Sequence, residues 1–195
     1  WQAIFYGKSA KHPCPPMPCV RVNSATGEYR EIPNPCPTAD SLYKFMDLDH
    51  VYGVMKDDFT LAIMVARNNI ATDRAELSYG PIMRLAAEHG VEAVIDSPEK
   101  LRKVADDLFI QESVYATMRT VGKVREYAEK EGKKVLYILT YASSEIKKKL
   151  ETGERFDQSV LDYLDENDLP YVDLMEVMIR DYQNYSISFD DYQKL

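Results

Sequence analysis

The residues best suited to binding a metal ion surround one histidine. Four aspartates lie near His50 in the sequence: Asp47, Asp49, Asp57 and Asp58. If this segment is helical, Asp58 lies on roughly the same face as His50, and carboxylates together with an imidazole can hold a divalent metal. Acidic residues are also expected wherever a helix begins. We favour this second interpretation and assign no metal ligand.

Side chains that could act as a nucleophile or a base also have structural alternatives. Ser143 and Ser144 follow a predicted strand, but a nucleophilic serine on a strand-to-helix turn usually has small flanking residues. The run Tyr141-Ala-Ser-Ser-Glu lacks them, so the pair is predicted to cap a helix. Asp173 ends a later strand, where it could orient a catalytic group, but it is predicted to cap the next helix. His89 lies at a predicted helix C-terminus, where a positive charge is stabilising. We therefore assign no catalytic residue.

The three cysteines all lie near the start of the chain, at Cys14, Cys19 and Cys36. An odd number cannot form a fully paired disulfide framework, and with only His12 nearby the set is poor for zinc. We expect thiols, which favours a reducing, cytoplasmic location. The sequence also lacks a P-loop, a Gly-x-Gly-x-x-Gly fingerprint, a His-Glu-x-x-His pair and an EF-hand loop. No cofactor is therefore predicted.

Composition and charge exclude several classes of partner. The chain has 195 residues, of which 45% are apolar and 29% charged, and its formal net charge is −8. This acidic balance, with scattered lysines and arginines, argues against nucleic acid as a partner. No stretch approaches the roughly 20 apolar residues of a membrane span, and no signal peptide is recognisable. We predict a globular chain that binds neither nucleic acid nor membrane, and the sequence leaves its oligomeric state open.

Residues 1–36 are predicted to form a Pro- and Cys-rich arm. Proline fixes φ and removes a backbone donor, and its frequency here excludes a helix: Pro13, Pro15, Pro16, Pro18, Pro33 and Pro35. Two runs with period-two alternation, 19–22 and 28–32, flank Asn23-Ser-Ala-Thr-Gly27. This pattern predicts a β-hairpin in which Gly27 supplies a positive φ.

Residues 37–90 are predicted to form a helical segment. Thr38 follows Pro37 and offers a capped start for a first helix, and Asp49 could cap a second. A third helix is predicted to begin near Thr72, where the sequence has a capping-box pattern, and to end at His89. Pro81 should kink or split this third helix.

Residues 91–195 alternate between strands and helices. A short strand is predicted at 91–95, then a helix that opens at Ser97 and Pro98, and a long helix that stops at Gly132. The run 134–141 is continuously apolar, as in a parallel strand covered on both faces, and 169–174 is a second strand with helices before and after it. This order predicts right-handed βαβ units. The predicted fold class is α/β, a flavodoxin-like three-layer fold with a parallel sheet, a helical insertion and the hairpin arm.

Several segments resemble parts of the SGNH/GDSL-type hydrolases. Residues 27–38 (Gly-Glu-Tyr-Arg-Glu-Ile-Pro-Asn-Pro-Cys-Pro-Thr) and 41–45 are similar to a hairpin, an Asn-Pro-x-Pro-Thr segment and a helical insertion of that family. Residues 128–140 and 161–174, with Val-Asp-Leu at their end, resemble its last two helix-strand pairs. Residues 189–195 resemble the approach to its last catalytic block. The resemblance implies an SGNH-like three-layer fold and hydrolysis of an acyl or acetyl ester on a small molecule or a carbohydrate.

The chain lacks the motifs that define the catalytic site of this family. These are a serine in an N-terminal Gly-Asp-Ser block, a glycine and an asparagine as oxyanion donors, and an Asp-x-x-His-like block near the C-terminus. The resemblance therefore implies a middle and C-terminal portion of a hydrolase, with the catalytic residues outside this chain. The alternative hypothesis is a non-catalytic α/β binding or interaction module, whose surfaces would be the proline arm and the tyrosine-rich C-terminal half.

Overall fold

The computed structural model describes residues 19–33, 38–55, 80–91 and 97–194. The chain divides into two compact units, unit 1 (Trp1–Ala116) and unit 2 (Thr117–Leu195), and the boundary falls within one long helix.

Unit 1 begins with an antiparallel hairpin. Strand β1 (Cys19–Asn23) pairs with β2 (Glu28–Ile32), so that Val22 lies opposite Tyr29. Gly27 has a φ of 74° in the connecting turn, a left-handed conformation that glycine adopts without a steric penalty. The predicted hairpin and the role of its glycine are therefore confirmed.

Three helices lie between the hairpin and the long helix in the described part of unit 1: α1 (Ala39–Lys44), α2 (Leu48–Met55) and α3 (Gly80–Glu88). The predicted cap of α1 is confirmed, since the Ser41 backbone N–H donates to the Thr38 hydroxyl and the Thr38 N–H donates to Ser41. Pro81 lies in the first turn of α3, where a missing N–H leaves no hydrogen bond unmade. The kink predicted at Pro81 stays a prediction, because residues 72–79 lie outside the described residues. The predicted start near residue 72 lies outside the described residues.

The apolar core of unit 1 lies between α3 and the first half of α4 (Pro98–Lys130). Its buried side chains recur every three or four residues on both helices, as expected for two amphipathic faces in contact: Ile82, Leu85, Ala86, Leu101, Ala105 and Leu108. The predicted helix start at Ser97 and Pro98 is confirmed, because the Ser97 hydroxyl accepts the Lys100 N–H at 3.2 Å. The two helices predicted after it form one continuous helix.

Unit 2 contains the end of α4 and six shorter elements: β3 (Tyr137–Leu139), α5 (Ser143–Thr152), α6 (Gln158–Glu166), β4 (Tyr171–Asp173), α7 (Leu174–Tyr182) and α8 (Phe189–Tyr192). Strands β3 and β4 pair in parallel, with Tyr137 opposite Tyr171. Gly153 ends α5 with a φ of 76°. Ile146, Met175 and Phe189 form a buried cluster between α5, α7 and α8.

The predicted flavodoxin-like or SGNH-like three-layer α/β fold is wrong. Helices make up 60% of the structure, and the described residues form two sheets of two strands each. The apolar run 134–141, predicted to be a strand covered on both faces, contributes three strand residues. Tyr137 faces α4, where its hydroxyl donates to the Val121 carbonyl at 3.1 Å, but Leu136 and Ile138 are 57% and 60% exposed. The apolar composition of this run predicts burial, but it does not indicate that only one face of the strand is covered.

The strand predicted at 91–95 has no counterpart among the described residues. Val91 is not part of a strand, and residues 92–96 lie outside the described ranges. The helical insertion and the arm are described in part, by α1 to α3 and by the hairpin.

Candidate functional site

The residues that could have formed a metal site have other roles where the structure describes them. Asp47 accepts the Asp49 backbone N–H at 2.9 Å, so Asp47 rather than Asp49 stabilises the start of α2. The His50 ring packs edge-on against Phe45 at a centroid distance of 5.1 Å. Asp57, Asp58 and the sulfur atoms of the cysteines lie outside the described residues. Within the described ranges, no three His, Cys, Asp or Glu side chains are placed to hold a metal ion.

The serine pair after β3 does not cap α5, contrary to the prediction. The helix begins at Ser143 itself, so both serines lie in its first turn and Ala142 takes the N-cap position without a side-chain hydrogen bond. Asp173, in contrast, has the predicted role. Its side chain accepts the Met175 N–H at 3.0 Å at the start of α7.

Unit 1 contains a buried polar group that we call the hairpin cluster: Ser24, His89 and Glu112. The Ser24 hydroxyl donates to Glu112 Oε1 at 2.7 Å, and the Ser24 backbone N–H donates to both carboxylate oxygens at 3.0 and 3.1 Å. His89 Nε2 lies 2.8 Å from Glu112 Oε1 and 2.8 Å from the Ser24 hydroxyl. The side chains of His89 and Glu112 are 3% and 1% exposed.

Each member of the hairpin cluster is placed by a different segment. Ser24 lies in the turn after β1, which is held by Asn23 Oδ1 accepting the N–H groups of Ala25 and Thr26 at 3.0 and 3.2 Å. His89 directly follows α3. Glu112 lies four residues after Leu108 on α4 and continues its buried stripe. The cluster thus joins the hairpin to both helices of the unit 1 core.

Serine, histidine and a carboxylate are the components of an acyl-transfer triad, but they are not arranged as one. In a triad the serine and the carboxylate bind opposite nitrogens of the imidazole. Here both lie at Nε2, and Nδ1 lies 2.8 Å from the Leu85 carbonyl oxygen. The Ser24 hydroxyl donates to Glu112 Oε1, so the serine contacts the carboxylate directly. The geometry fixes the hairpin in place and does not activate the serine.

Unit 2 contains a second buried group that we call the arginine cluster: Tyr141, Arg155, Asp157 and Asp173. Arg155 donates to both carboxylate oxygens of Asp157, at 2.9 and 3.0 Å, and to Asp173 Oδ2 at 2.6 Å. It also donates to the Tyr141 hydroxyl at 2.7 Å, and that hydroxyl donates to Asp157 at 2.7 Å. The side chains of Arg155, Asp157 and Asp173 are at least nine-tenths buried.

Mutual hydrogen bonding sets the charge states of the arginine cluster. Burial alone would lower the pKa of Arg155, but its hydrogen bonds to Asp157 and Asp173 outweigh this effect and raise the pKa. Burial would raise the pKa of Asp157, but the hydrogen bonds from Arg155 and Tyr141 keep it below its ordinary value. The pKa of Tyr141 is raised, first by burial and then by its hydrogen bond to Asp157. The cluster therefore contains a stable guanidinium, an ionised Asp157 and a neutral phenol.

The arginine cluster lies at the carboxyl ends of β3 and β4. Tyr141 follows β3, Asp173 is the last residue of β4, and Asp157 immediately precedes α6. Asp157 takes the N-cap position of α6 but makes no side-chain cap hydrogen bond, because its carboxylate is bound to Arg155. In larger open α/β sheets, ligands bind at the carboxyl ends of the parallel strands. The cluster therefore fixes the positions of three segments at this edge: the connection after β3, the start of α6 and the end of β4.

Four residues of these clusters were not predicted from the sequence: Ser24, Glu112, Arg155 and Asp157. For one of them, Glu112, the sequence does contain a signal. Leu101, Ala105 and Leu108 define the buried stripe of α4, and Glu112 is its next position. A carboxylate on such a stripe indicates a buried acid with a partner elsewhere. Arg155 lies in a loop, where no periodicity marks it.

The chain matches no protein-family model, no curated protein and no solved structure. None of the described helices is long and apolar enough to cross a membrane. The functional proposal therefore depends on the resemblance of the segments and on the clusters.

Proposed function

We propose that unit 2 is part of an ester hydrolase of the SGNH type and that the arginine cluster is the framework of its active-site edge. The observation that carries this proposal is the position of the cluster at the carboxyl ends of a parallel strand pair. Three of the segments that resemble the family, 128–140, 161–174 and 189–195, lie in this unit. The substrate is an acyl or acetyl ester of a small molecule or a carbohydrate.

The residues of the arginine cluster position the edge and do not react. Each polar group of the cluster is engaged by another member, and acyl transfer needs a nucleophile, a base and oxyanion donors that converge on the substrate. In our proposal those groups come from parts of the protein outside this chain. Arg155 keeps the connection after β3, the start of α6 and the end of β4 at fixed distances from one another.

The test is an esterase assay on two proteins, this chain and a chain extended by its encoded flanks at both ends. We expect the extended chain to hydrolyse p-nitrophenyl acetate or an acetylated oligosaccharide, and this chain to leave both intact. Hydrolysis by neither protein would contradict the proposed reaction. Hydrolysis by the shorter chain would contradict the external location of the catalytic residues.

A matched pair of variants in the extended chain tests the role of the cluster. Asp157→Asn keeps the shape of the side chain but removes the charge that pairs with Arg155. Asp162→Asn changes an exposed residue of α6 that contacts Gln158. We expect kcat to fall about tenfold or more in the first variant, because a small displacement of catalytic groups has effects of this size, and to stay unchanged in the second. An equal effect of both changes would remove the cluster from the proposal.

The alternative function, a non-catalytic interaction module, is favoured by two exposed apolar side chains, Leu136 just before β3 and Ile138 on β3. Exposed apolar side chains that lie together can mark a contact with another protein molecule. In this case the extended chain lacks esterase activity, and sedimentation velocity shows a dimer that Ile138→Lys converts to a monomer.

A further inference from the structure

We infer that the hairpin cluster is a proton-dependent attachment of the β1–β2 hairpin to α3 and α4. Three donors of the hairpin turn reach carboxylates on the helical side. The Ser24 N–H and hydroxyl donate to Glu112, and the Asn23 amide donates to Glu88. His89 contacts the same oxygen of Glu112 that accepts the Ser24 hydroxyl. The inference concerns unit 1 and is independent of the proposed hydrolase.

The geometry fixes the number of protons that the attached cluster holds. A carbonyl oxygen can only accept, so His89 Nδ1 carries a hydrogen that it donates to Leu85. His89 Nε2 and Glu112 Oε1 lie 2.8 Å apart, too close for two lone pairs to face each other, so one further proton lies between them. That proton is on Nε2 in an imidazolium–carboxylate pair or on Oε1 in a neutral pair. Both arrangements bind the same number of protons.

Gain or loss of a proton is therefore expected to weaken the attachment. Without the shared proton, a lone pair of His89 faces an ionised Glu112 in a buried site. With a second proton, the imidazolium loses its buried counter-charge. Histidine and glutamate side chains in water have reference pKa values of about 6.5 and 4.3. The attachment is thus strongest between these values and weakens by about tenfold per pH unit on either side.

The polar groups around His89 and Glu112 determine which residues contribute to the acid side of this pH profile and which to its alkaline side. The hairpin presents Asn23 and Ser24, which are uncharged, and α3 presents Glu88. On α4, the Gln111 amide lies 3.4 Å from the Ser24 hydroxyl and is also uncharged. Glu88 accepts from the Asn23 amide and is the charged group that α3 places near the hairpin. The alkaline side of the profile depends on His89, so the experiment measures the alkaline side.

Amide hydrogen exchange of Ser24, measured by NMR on the full chain, tests the inference. After correction for the intrinsic exchange rate, we expect the protection of this N–H to be greatest between about pH 4.5 and 6.5 and to fall about tenfold per unit above that range. In Glu112→Gln, the side-chain amide can accept from Ser24 and donate to a neutral His89. The attachment then persists, but its alkaline decline disappears. The same alkaline decline in the variant as in the native chain would overturn the inference.

The experiment has two further parts: a control variant at another histidine, and an NMR measurement of His89 in the native chain. His50→Gln removes a histidine of unit 1 that packs on Phe45, and it should leave the Ser24 profile unchanged. The ¹⁵N shifts of the His89 ring report directly which nitrogens carry hydrogen. We expect Nδ1 to be protonated throughout the range in which Ser24 is protected. A neutral His89 with its hydrogen on Nε2 alone would overturn the inference, whether or not Glu112→Gln folds.

Discussion

The two buried polar clusters stabilise charge in different ways. In the arginine cluster a guanidinium, which stays protonated at any pH the fold survives, lies between two carboxylates and a phenol. In the hairpin cluster a single imidazole faces a single carboxylate, and the interaction depends on one shared proton. The first arrangement is permanent near neutral pH, whereas the second is conditional. Burial alone therefore does not determine whether a polar cluster is a fixed support or a contact that can be broken by a change in pH.

The clusters also differ in the length of chain that they connect. The Ser24 and Glu112 pair is separated by 88 residues, whereas Arg155 and Asp173 are separated by 18. The arginine cluster therefore fixes neighbouring connections of one unit, and the hairpin cluster attaches a separate segment to a helical core.

Removal of the guanidinium should have the largest effect. Arg155→Met leaves Asp157 and Asp173 buried without their counter-charge, and we expect the free energy of unfolding to fall by about 3 kcal/mol. Urea denaturation followed by circular dichroism measures this loss. The matched control is Lys123→Met, which breaks an exposed pair with Glu126 on α4 and should leave the urea midpoint unchanged. Equal midpoints for both variants would show that the arginine cluster is not a permanent support.

Removal of the phenol should have a smaller effect that depends on pH. Tyr141→Phe deletes the hydrogen bond to Asp157 and one acceptor for Arg155, and we expect a loss of about 1.5 kcal/mol at pH 7. Because burial and Asp157 raise the pKa of Tyr141, its contribution is complete below the unfolded value of about 10 and declines as the pH rises above it. The difference between native and variant in urea denaturation should therefore narrow at pH 11.

An exposed tyrosine provides the control for this pH effect. Tyr127 is exposed on α4, and Tyr127→Phe should not alter stability at either pH. A constant difference between native chain and Tyr141→Phe across the alkaline range would contradict the protonated state assigned to this phenol.

Deletion of the serine hydroxyl should weaken the hairpin cluster without removing its dependence on pH. Ser24→Ala loses one donor to Glu112, but the backbone N–H and His89 still contact the carboxylate. We expect the free energy of unfolding to fall by about 1 kcal/mol and the alkaline decline of Ser24 amide protection to stay. Loss of that decline in Ser24→Ala would assign it to the hydroxyl rather than to His89.

The smallest effect is expected at the edge of the hairpin cluster. Gln111 is exposed, and its 3.4 Å contact with the Ser24 hydroxyl is long. Gln111→Ala should change the free energy of unfolding by less than about 0.5 kcal/mol, measured by urea denaturation at pH 6. A loss as large as that of Ser24→Ala would extend the cluster to include this residue.

Features that act over a few residues could be predicted from the sequence. The cap at Thr38, the left-handed Gly27 and the cap at Asp173 each depend on neighbours within about four positions. The parallel relation of β3 and β4 was also anticipated. The extent of the sheet was not, because the apolar run 134–141 says nothing about how many strands or helices cover it.

The clusters themselves could not be predicted, because their partners are distant in sequence. Nothing near Ser24 distinguishes it from any serine in a turn, and nothing near Arg155 indicates that two aspartates and a tyrosine surround it. Glu112 is the exception, since its place on the stripe of α4 marks it as buried. Even there, the spacing does not identify His89 and Ser24 as the partners.

The long separation between Ser24 and Glu112 has a consequence for the order of folding. The hairpin is closed by a turn of four residues, 24–27, and such hairpins form in about 1–10 μs from local contacts. Its attachment closes a loop of 88 residues, and the entropy cost of closure rises with loop length. The attached turn also contacts two helical segments, through His89 after α3 and Glu112 on α4. Substitutions at Ser24 should therefore accelerate unfolding while leaving the folding rate nearly unchanged, as for contacts that form after the transition state.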